Sequence, residues 1–496
     1  MATSSIASKN PQLARRRGGK SRLGQCQNVL LWPSSIHQMA ESTTGATPGM
    51  ISDAFTFWTN KGGVGKTTMC FHSATAFAAT HPNVIVVAID MDPQANLSST
   101  MLTQVDDMKD IVNGKDALSR VEGDASYAVR VGEGRSVPRT LLGYLMGQVT
   151  RDLNIDISEF ILDAREFNSN LPPNLKLLSG DTRLNCIEDE FQRIMCSGTN
   201  TSHATPWRDG RRRLRQSLEE YAAKYPGKET VLFFDTNPSL TIWTQIALVS
   251  SNKLMIPVMA DEFSKAALRN MIYLLHGLGR ATGDVGRYEN SMFFHKAREY
   301  EVPLPLIHGI IFNKCVIKTD KLIKGFKALE HQQYDVLKTL MEDCADQEID
   351  LARVFSDYDG GIAPRDLTRE MIAEKYGCWM RDMHTAGVVT MRCGLPFWQV
   401  KRNSKSVAAI VEEASYSVSL QSSLRDFVKN DHSDDDQSLR TPVLQMLVRG
   451  RPEIADALIK NLLNEGAMSA KAAKRARTMP PAPPPPVNDG DDDPLI

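Results

Sequence analysis

Residues 54–68 read Ala54-Phe55-Thr56-Phe57-Trp58-Thr59-Asn60-Lys61-Gly62-Gly63-Val64-Gly65-Lys66-Thr67-Thr68. A strand-like apolar run leads into a glycine-rich turn, and a helix-like run follows. The three glycines let the backbone wrap close to an anion with its N–H groups turned inward. A helix starting near Lys66 aims the positive end of its dipole at the same place. Lys66 can reach the β- and γ-phosphates of a nucleotide, and the Thr67 hydroxyl can sit on a Mg²⁺ ion. The ordinary G-x-x-x-x-G-K-[ST] pattern would place a glycine where Asn60 stands, and a second lysine, Lys61, lies inside the loop. Glycines that merely made a turn would leave this order of lysines and threonines unexplained.

Outward from this loop, strand-like and helix-like stretches alternate. Residues 84–89, 231–234, 254–258 and 307–312 are short apolar runs without polar alternation. Such runs suit strands covered on both faces. Helical patterns at 67–79 and 266–278 lie between them. The expectation is an α/β fold, a doubly wound and mostly parallel sheet with helices on both faces. A nucleotide then binds at the carboxyl ends of the strands.

The chain has 496 residues, 24% charged and 42% hydrophobic, as in a globular protein with room for a large core. A net charge of −1 excludes a wholly basic nucleic-acid-coating protein, so any such surface must be a local patch. Cysteines stand at 26, 70, 186, 196, 315, 344, 378 and 393, with no C-x-x-C pair. Neither a zinc site nor a disulfide framework is suggested. No apolar run approaches the length that a membrane span needs. Residues 1–50 read as a disordered basic extension or a targeting segment, because Met1 to Ala40 holds no Asp or Glu. Residues 51–430 read as the main domain, with insertions near 104–229 and 315–395. Residues 431–468 read as a helical extension, and 469–496 as a disordered tail rich in Pro and Asp. The stretch from Cys196 to Asp209 reads as a loop.

Three carboxylates follow apolar runs. Asp90 and Asp92 stand in Ile89-Asp90-Met91-Asp92-Pro93-Gln94, and Asp235 ends Val231-Leu232-Phe233-Phe234-Asp235. Taken alone, the first pair is an ordinary turn after a strand, and Asp235 could cap the next helix. Asn313 ends a further apolar run, where a turn asparagine is the plainer reading.

The stretch K-G-G-V-G-K-T-T, residues 61–68, resembles the deviant Walker A loop of the ParA/MinD family of dimerising ATPases. The D-x-D-P-Q stretch, 26 residues beyond Lys66 at its second Asp, resembles switch I, and 231–239 resembles Walker B with the start of switch II. The resemblance implies ATP and Mg²⁺ as cofactors, and a phosphate cradle of Lys61, Gly62, Gly63, Val64, Gly65, Lys66, Thr67 and Thr68. It implies that Lys61, Lys66 and Asp92 are catalytic, with Asp92 positioning the attacking water. Thr67, Asp90 and Asp235 would serve the metal, Asp90 from behind as a support and Asp235 through water. Asn313 would read the adenine edge with its amide. Lys61 would cross a dimer interface to a partner's ATP, against the plainer reading of a solvated lysine. Asn237 stands where the family often has Pro, which leaves the switch II geometry open.

The family shares an engine and differs in cargo. The first expectation is a ParA-like ATPase that forms an ATP-bound homodimer and positions DNA or another large cargo. It would bind DNA nonspecifically, answer to a ParB-like stimulating partner, and work in the cytoplasm at the nucleoid, or in an organelle if the N-terminal segment is a transit peptide. Basic clusters at Arg211, Arg212, Arg213 and Arg215 and at 471–477 are candidates for the DNA surface, or else solvated helix faces. Alternatives are a MinD-like membrane-cycling ATPase, using the helical spacing of Ile454, Leu458, Ile459, Leu462 and Leu463, and a small-molecule ATP-dependent enzyme on the same scaffold.

Overall fold

The computed structural model describes residues 48–396, apart from 106–110, 132–133, 150–154, 197–205, 279–290, 316, 319–320, 323, 357, 359 and 382–383. The readings made for the two ends of the chain, including the basic cluster at 471–477 and the helical spacing at 454–463, lie outside the described residues.

Eight strands form one sheet. In chain order they are β1 (Met50–Phe57), β2 (Ile85–Asp90), β3 (Ile161–Asp163), β4 (Leu175–Leu178), β5 (Glu229–Asp235), β6 (Lys253–Met259), β7 (Leu306–Cys315) and β8 (Gly377–Arg381). Their order across the sheet is β8-β7-β6-β1-β5-β2-β4-β3. All neighbours run parallel except the edge pair β3 and β4, which is antiparallel. Within the segment 315–395, expected to hold an insertion, residues 377–381 form β8 of the sheet. The interval 104–229 likewise supplies β3 and β4. The loop expected at 196–209 is narrower, because a helix begins at Pro206.

Alternate residues of each central strand face opposite layers, which is why the runs are continuously apolar. Val231 and Phe233 of β5 join the core beneath the helix α1 (Lys66–Thr80), with Phe71, Ala74 and Phe77. Leu232 and Phe234 join the opposite core, with Leu214 and Leu218 of α2 (Pro206–Ala223) and Trp243 and Ile246 of α3 (Ile242–Ser250). A third core lies around β6 and β7, with Leu268 and Ile272 of α4 (Glu262–His276) and Leu337 and Leu340 of α5 (Lys324–Asp346).

Phe233 is the hub under the nucleotide-like loop. It stacks on Phe55 at 5.3 Å between centroids and on Phe57 at 6.4 Å, and meets Phe77 of α1 at 5.8 Å. Truncation would leave a cavity directly beneath the helix that carries the loop. Phe233→Ala should lower unfolding free energy by about 3–5 kcal/mol, read from the urea midpoint; a loss below about 1 kcal/mol would show that this hub does not hold α1 on the sheet.

Candidate functional site

Parallel pairing brings three strand ends together. β5 lies between β1 and β2, and Asp235 pairs in register with Phe57 on one side and with Asp90 on the other. The glycine-rich loop leaves β1, the Asp92 turn leaves β2, and the turn with Asn237 leaves β5. Residues some 30 to 180 positions apart in the chain thus share one edge.

The loop is held open by its glycines. Gly63 has φ 72° and Gly65 φ 92°, in the left-handed region that side chains disfavour. A Cβ at Gly65 would also lie 2.3 Å from Asn313 Nδ2. Gly65 precedes α1, and no side chain caps that helix. Its first N–H groups therefore lack a side-chain acceptor, as an anion site requires. Gly62 and Gly63 are exposed, while Val64 and Lys66 are buried and Thr67 and Thr68 half-buried.

Asn313 is not turned toward solvent. Its Nδ2 donates to the Val64 carbonyl at 2.9 Å, and its Oδ1 accepts from the Lys314 N–H at 2.8 Å. Both ends of the amide expected to read adenine are engaged, the nitrogen in bracing the loop and the oxygen on the adjacent backbone.

The carboxylates carry different tasks. Asp90 is fully buried and accepts three hydrogen bonds: Asp92 N–H at 3.1 Å, Ser98 N–H at 2.8 Å and Ser98 Oγ–H at 2.7 Å. Ser98 Oγ accepts in turn from Gly180 N–H at 2.8 Å. Asp90 thus organises the switch-like turn, which suits a support behind a metal. Asp92 accepts from Gln94 N–H at 2.9 Å; burial raises its pKa, against the pull of that hydrogen bond and of nearby Lys66. Lys66 Nζ donates to the Lys61 carbonyl at 3.2 Å.

Asp235 is fully buried, and neither of its oxygens has a hydrogen bond of good geometry, although the Thr67 hydroxyl is near enough to favour its ionised form. A buried carboxylate without a donor is costly. The oxygen donors of Thr67 and Asp235 fit a hydrated divalent cation, which those two residues would hold. Among the described residues, no group of three or more His, Cys, Asp or Glu could hold a metal unaided. Asp235 does not cap the following helix either, since the Thr241 side chain does so.

Asn237, at the position that left switch II open, is tied down: its Oδ1 accepts from Thr244 Oγ at 2.8 Å and its Nδ2 donates to Thr241 Oγ at 3.3 Å. Thr236 Oγ donates to the Phe57 carbonyl at 2.8 Å, tying this turn to the end of β1. The sequence reading gave no role to Ser98, Thr236 or Thr244; of these only Thr236, directly after the strand-like run 231–235, stood at a position that signalled it.

Lys61 points across its own chain. Its Nζ forms an ion pair with Asp261 at 2.5 Å and donates to Ser264 Oγ at 3.3 Å. Partial burial opposes the charge on Asp261, but the Lys61 hydrogen bond and the Ser264 contacts outweigh it and lower its pKa.

The arginine cluster is built into the fold. Arg211 is buried, stacks on Trp207 at 4.1 Å, and donates from two nitrogens to Gln245 Oε1. Arg213 donates to Gln148, and Arg215 to Glu219 and the Ser250 carbonyl. Neither a DNA surface nor a solvated helix face anticipated that three of the four guanidinium groups would be hydrogen-bonded within the chain.

A family model described as an AAA domain matches residues 53–282, the span from β1 to just past α4. The chromosome partitioning protein ParA of Caulobacter vibrioides is 27% identical over 226 residues, 45% of this chain and 61% of that protein. Over less than half of its length, then, the chain is similar to an AAA domain and to ParA. The chain spans about 61% of the length of the curated ParA relatives that it matches. Among solved structures, apo McdA from Cyanothece aligns over 65% of this chain and 98% of its own, at 16% identity and a TM-score of 0.38. A plasmid partition protein from Borrelia burgdorferi aligns over 59% and 86%, at 21% identity and 0.32. Scores this low carry no functional argument. The ParA/MinD-like domain's loop and strand ends are those just described.

Two outcomes follow from the charges. Burial, above all, raises Asp90 to about 7, against the Ser98 hydrogen bonds, and raises Asp235 well above the ordinary range, with Asp90 and Asp92 adding to the effect. Acids raised in this way bind protons more tightly when folded, so their contribution is present at low pH and is lost as pH climbs from 3.8 through about 7. Metal-free protein should therefore lose melting temperature over that window, and Mg²⁺ with ATP should restore it above pH 7; a melting curve indifferent to both would refute the charge crowding. Separately, Arg211→Ala should cost about 1–3 kcal/mol in urea denaturation, because Gln245 loses its partner, while leaving the salt dependence of any DNA binding unchanged.

Proposed function

We propose that this chain is a Mg²⁺-dependent, ATP-hydrolysing switch of the ParA kind, which dimerises on ATP and positions DNA or another large cargo. The observation that carries the reading is the buried Asp235, which lacks a hydrogen bond of good geometry, beside Thr67 at the foot of a loop with two lysines. Residues 61–68 would cradle the phosphates, with the α1 N-terminus adding its dipole. Asp92, near Lys66, would orient the attacking water, since phosphoryl transfer needs positioned charge more than covalent chemistry. Bound Mg²⁺ would neutralise charge developing on the phosphates. Asp235 would hold its water shell, and Asp90 would hold Asp92 and Ser98 in place behind it. Lys61 would act in trans on the partner's nucleotide, so that each ATP bridges two subunits and association depends on ligand.

The cargo reading rests on the likeness to a chromosome partitioning ParA, and with it come nonspecific DNA binding, a ParB-like stimulating partner and a cytoplasmic, nucleoid-associated site of action. Among the described residues no helix is long and apolar enough to cross a membrane. The domain division at residues 51–430, with flanking segments on either side, belongs to the same reading.

Sedimentation with and without Mg²⁺-ATP tests the switch. Asp92→Ala should bind ATP and accumulate as a dimer with hydrolysis reduced by at least about tenfold, whereas Lys61→Ala should bind ATP as a monomer. A wild-type chain that stays monomeric in saturating ATP would overturn the reading. DNA binding that is absent at low salt in ATP would remove DNA as the cargo.

A further inference from the structure

Lys61 faces a choice of anion. In the described chain its ammonium is held by Asp261, which directly precedes α4, and by the Ser264 hydroxyl one turn into that helix. Asp261 performs two jobs with two oxygens: Oδ1 accepts from Ser264 N–H at 2.7 Å as the helix cap, and Oδ2 holds Lys61. Beside them Phe263 is 79% exposed, with Lys61 Nζ 5.8 Å from its ring centroid. The pair is therefore formed at an open surface, next to the exposed Gly62 and Gly63. A lysine cannot salt-bridge a carboxylate in its own chain and also extend to the phosphates of a partner's nucleotide.

We infer that Asp261 is a positioning residue, a latch that keeps Lys61 folded back in cis and must release it before two copies can join across bound nucleotide. This rests on the trans role given to Lys61 above. The latch sets a threshold: association begins only when a partner's polyphosphate outcompetes one carboxylate. A pair about one-quarter to one-third exposed is strong enough to bias Lys61 and weak enough to be displaced. Each dimer opens two latches, so the bias enters the dimer constant squared.

Asp261→Asn separates the two jobs, because asparagine caps a helix as well as aspartate does but carries no charge. Two measurements on the full chain decide the matter. In nucleotide-free protein, acetylation of Lys61 followed by mass spectrometry should run about two- to fivefold faster in Asp261→Asn than in wild type, with other lysines unchanged. In Mg²⁺-ATP, Asp261→Asn should dimerise roughly five- to twentyfold more tightly, with monomer ATP affinity unaltered. In a Lys61→Ala background the same substitution should change neither association nor ATP affinity. Equal acetylation rates would overturn the latch. So would faster acetylation with an unchanged dimer constant, or a gain that persists without Lys61. If the wild type binds ATP but never dimerises, the trans reading itself fails, and the latch falls with it.

Discussion

Asp90 and Asp235 stand side by side at the ends of adjacent strands, both fully buried, and Asp92 follows two residues on. Like charges taken out of water repel and lose solvation together. Asp90 is relieved by three hydrogen bonds, but Asp235 is not. This imbalance leaves Asp235 as the carboxylate at this edge that lacks a hydrogen bond of good geometry. Lys66 supplies one nearby charge, at the cost of its own burial, which lowers its pKa against the pull of Asp235 and Asp92.

The rest of the fold serves that edge. The phenylalanine stack around Phe233 fixes α1 over the sheet, and α1 fixes the loop. Asn313, from β7 on the far side of β6, braces Val64. Thr236 and Asn237 secure the turn after β5 to β1 and α3. Ser98 links the turn after β2 to Gly180 beyond β4. Each of the three turns is thus held by a polar side chain from another element.

Much of the site was legible because its signals are local. The spacing from Gly62 to Thr68, the carboxylate ending each apolar run and the strand–helix alternation all lie in contiguous text. The boundaries moved only slightly: the helix expected at 266–278 runs from Glu262 to His276, since Asp261 caps it earlier than its apolar spacing suggests. Arg211, Arg213 and Arg215 misled because clustered charge looks alike whether it faces solvent or neighbours. Only the packing of α2 against α3, with Trp207 and Gln245 in place, showed that Arg211 is a core residue.

The amino-acid order by itself determined that a glycine-rich loop with two lysines follows a buried strand and that carboxylates follow apolar runs downstream. Those features depend on backbone freedom and on residues close in the chain. Tertiary structure alone decided what each polar side chain answers to. Lys61 meets a carboxylate 200 residues away, and Asn313 a carbonyl 249 residues away. The physical reason is that a charge or an amide takes its role from whatever lies within about 3 Å of it, and folding alone places those atoms there.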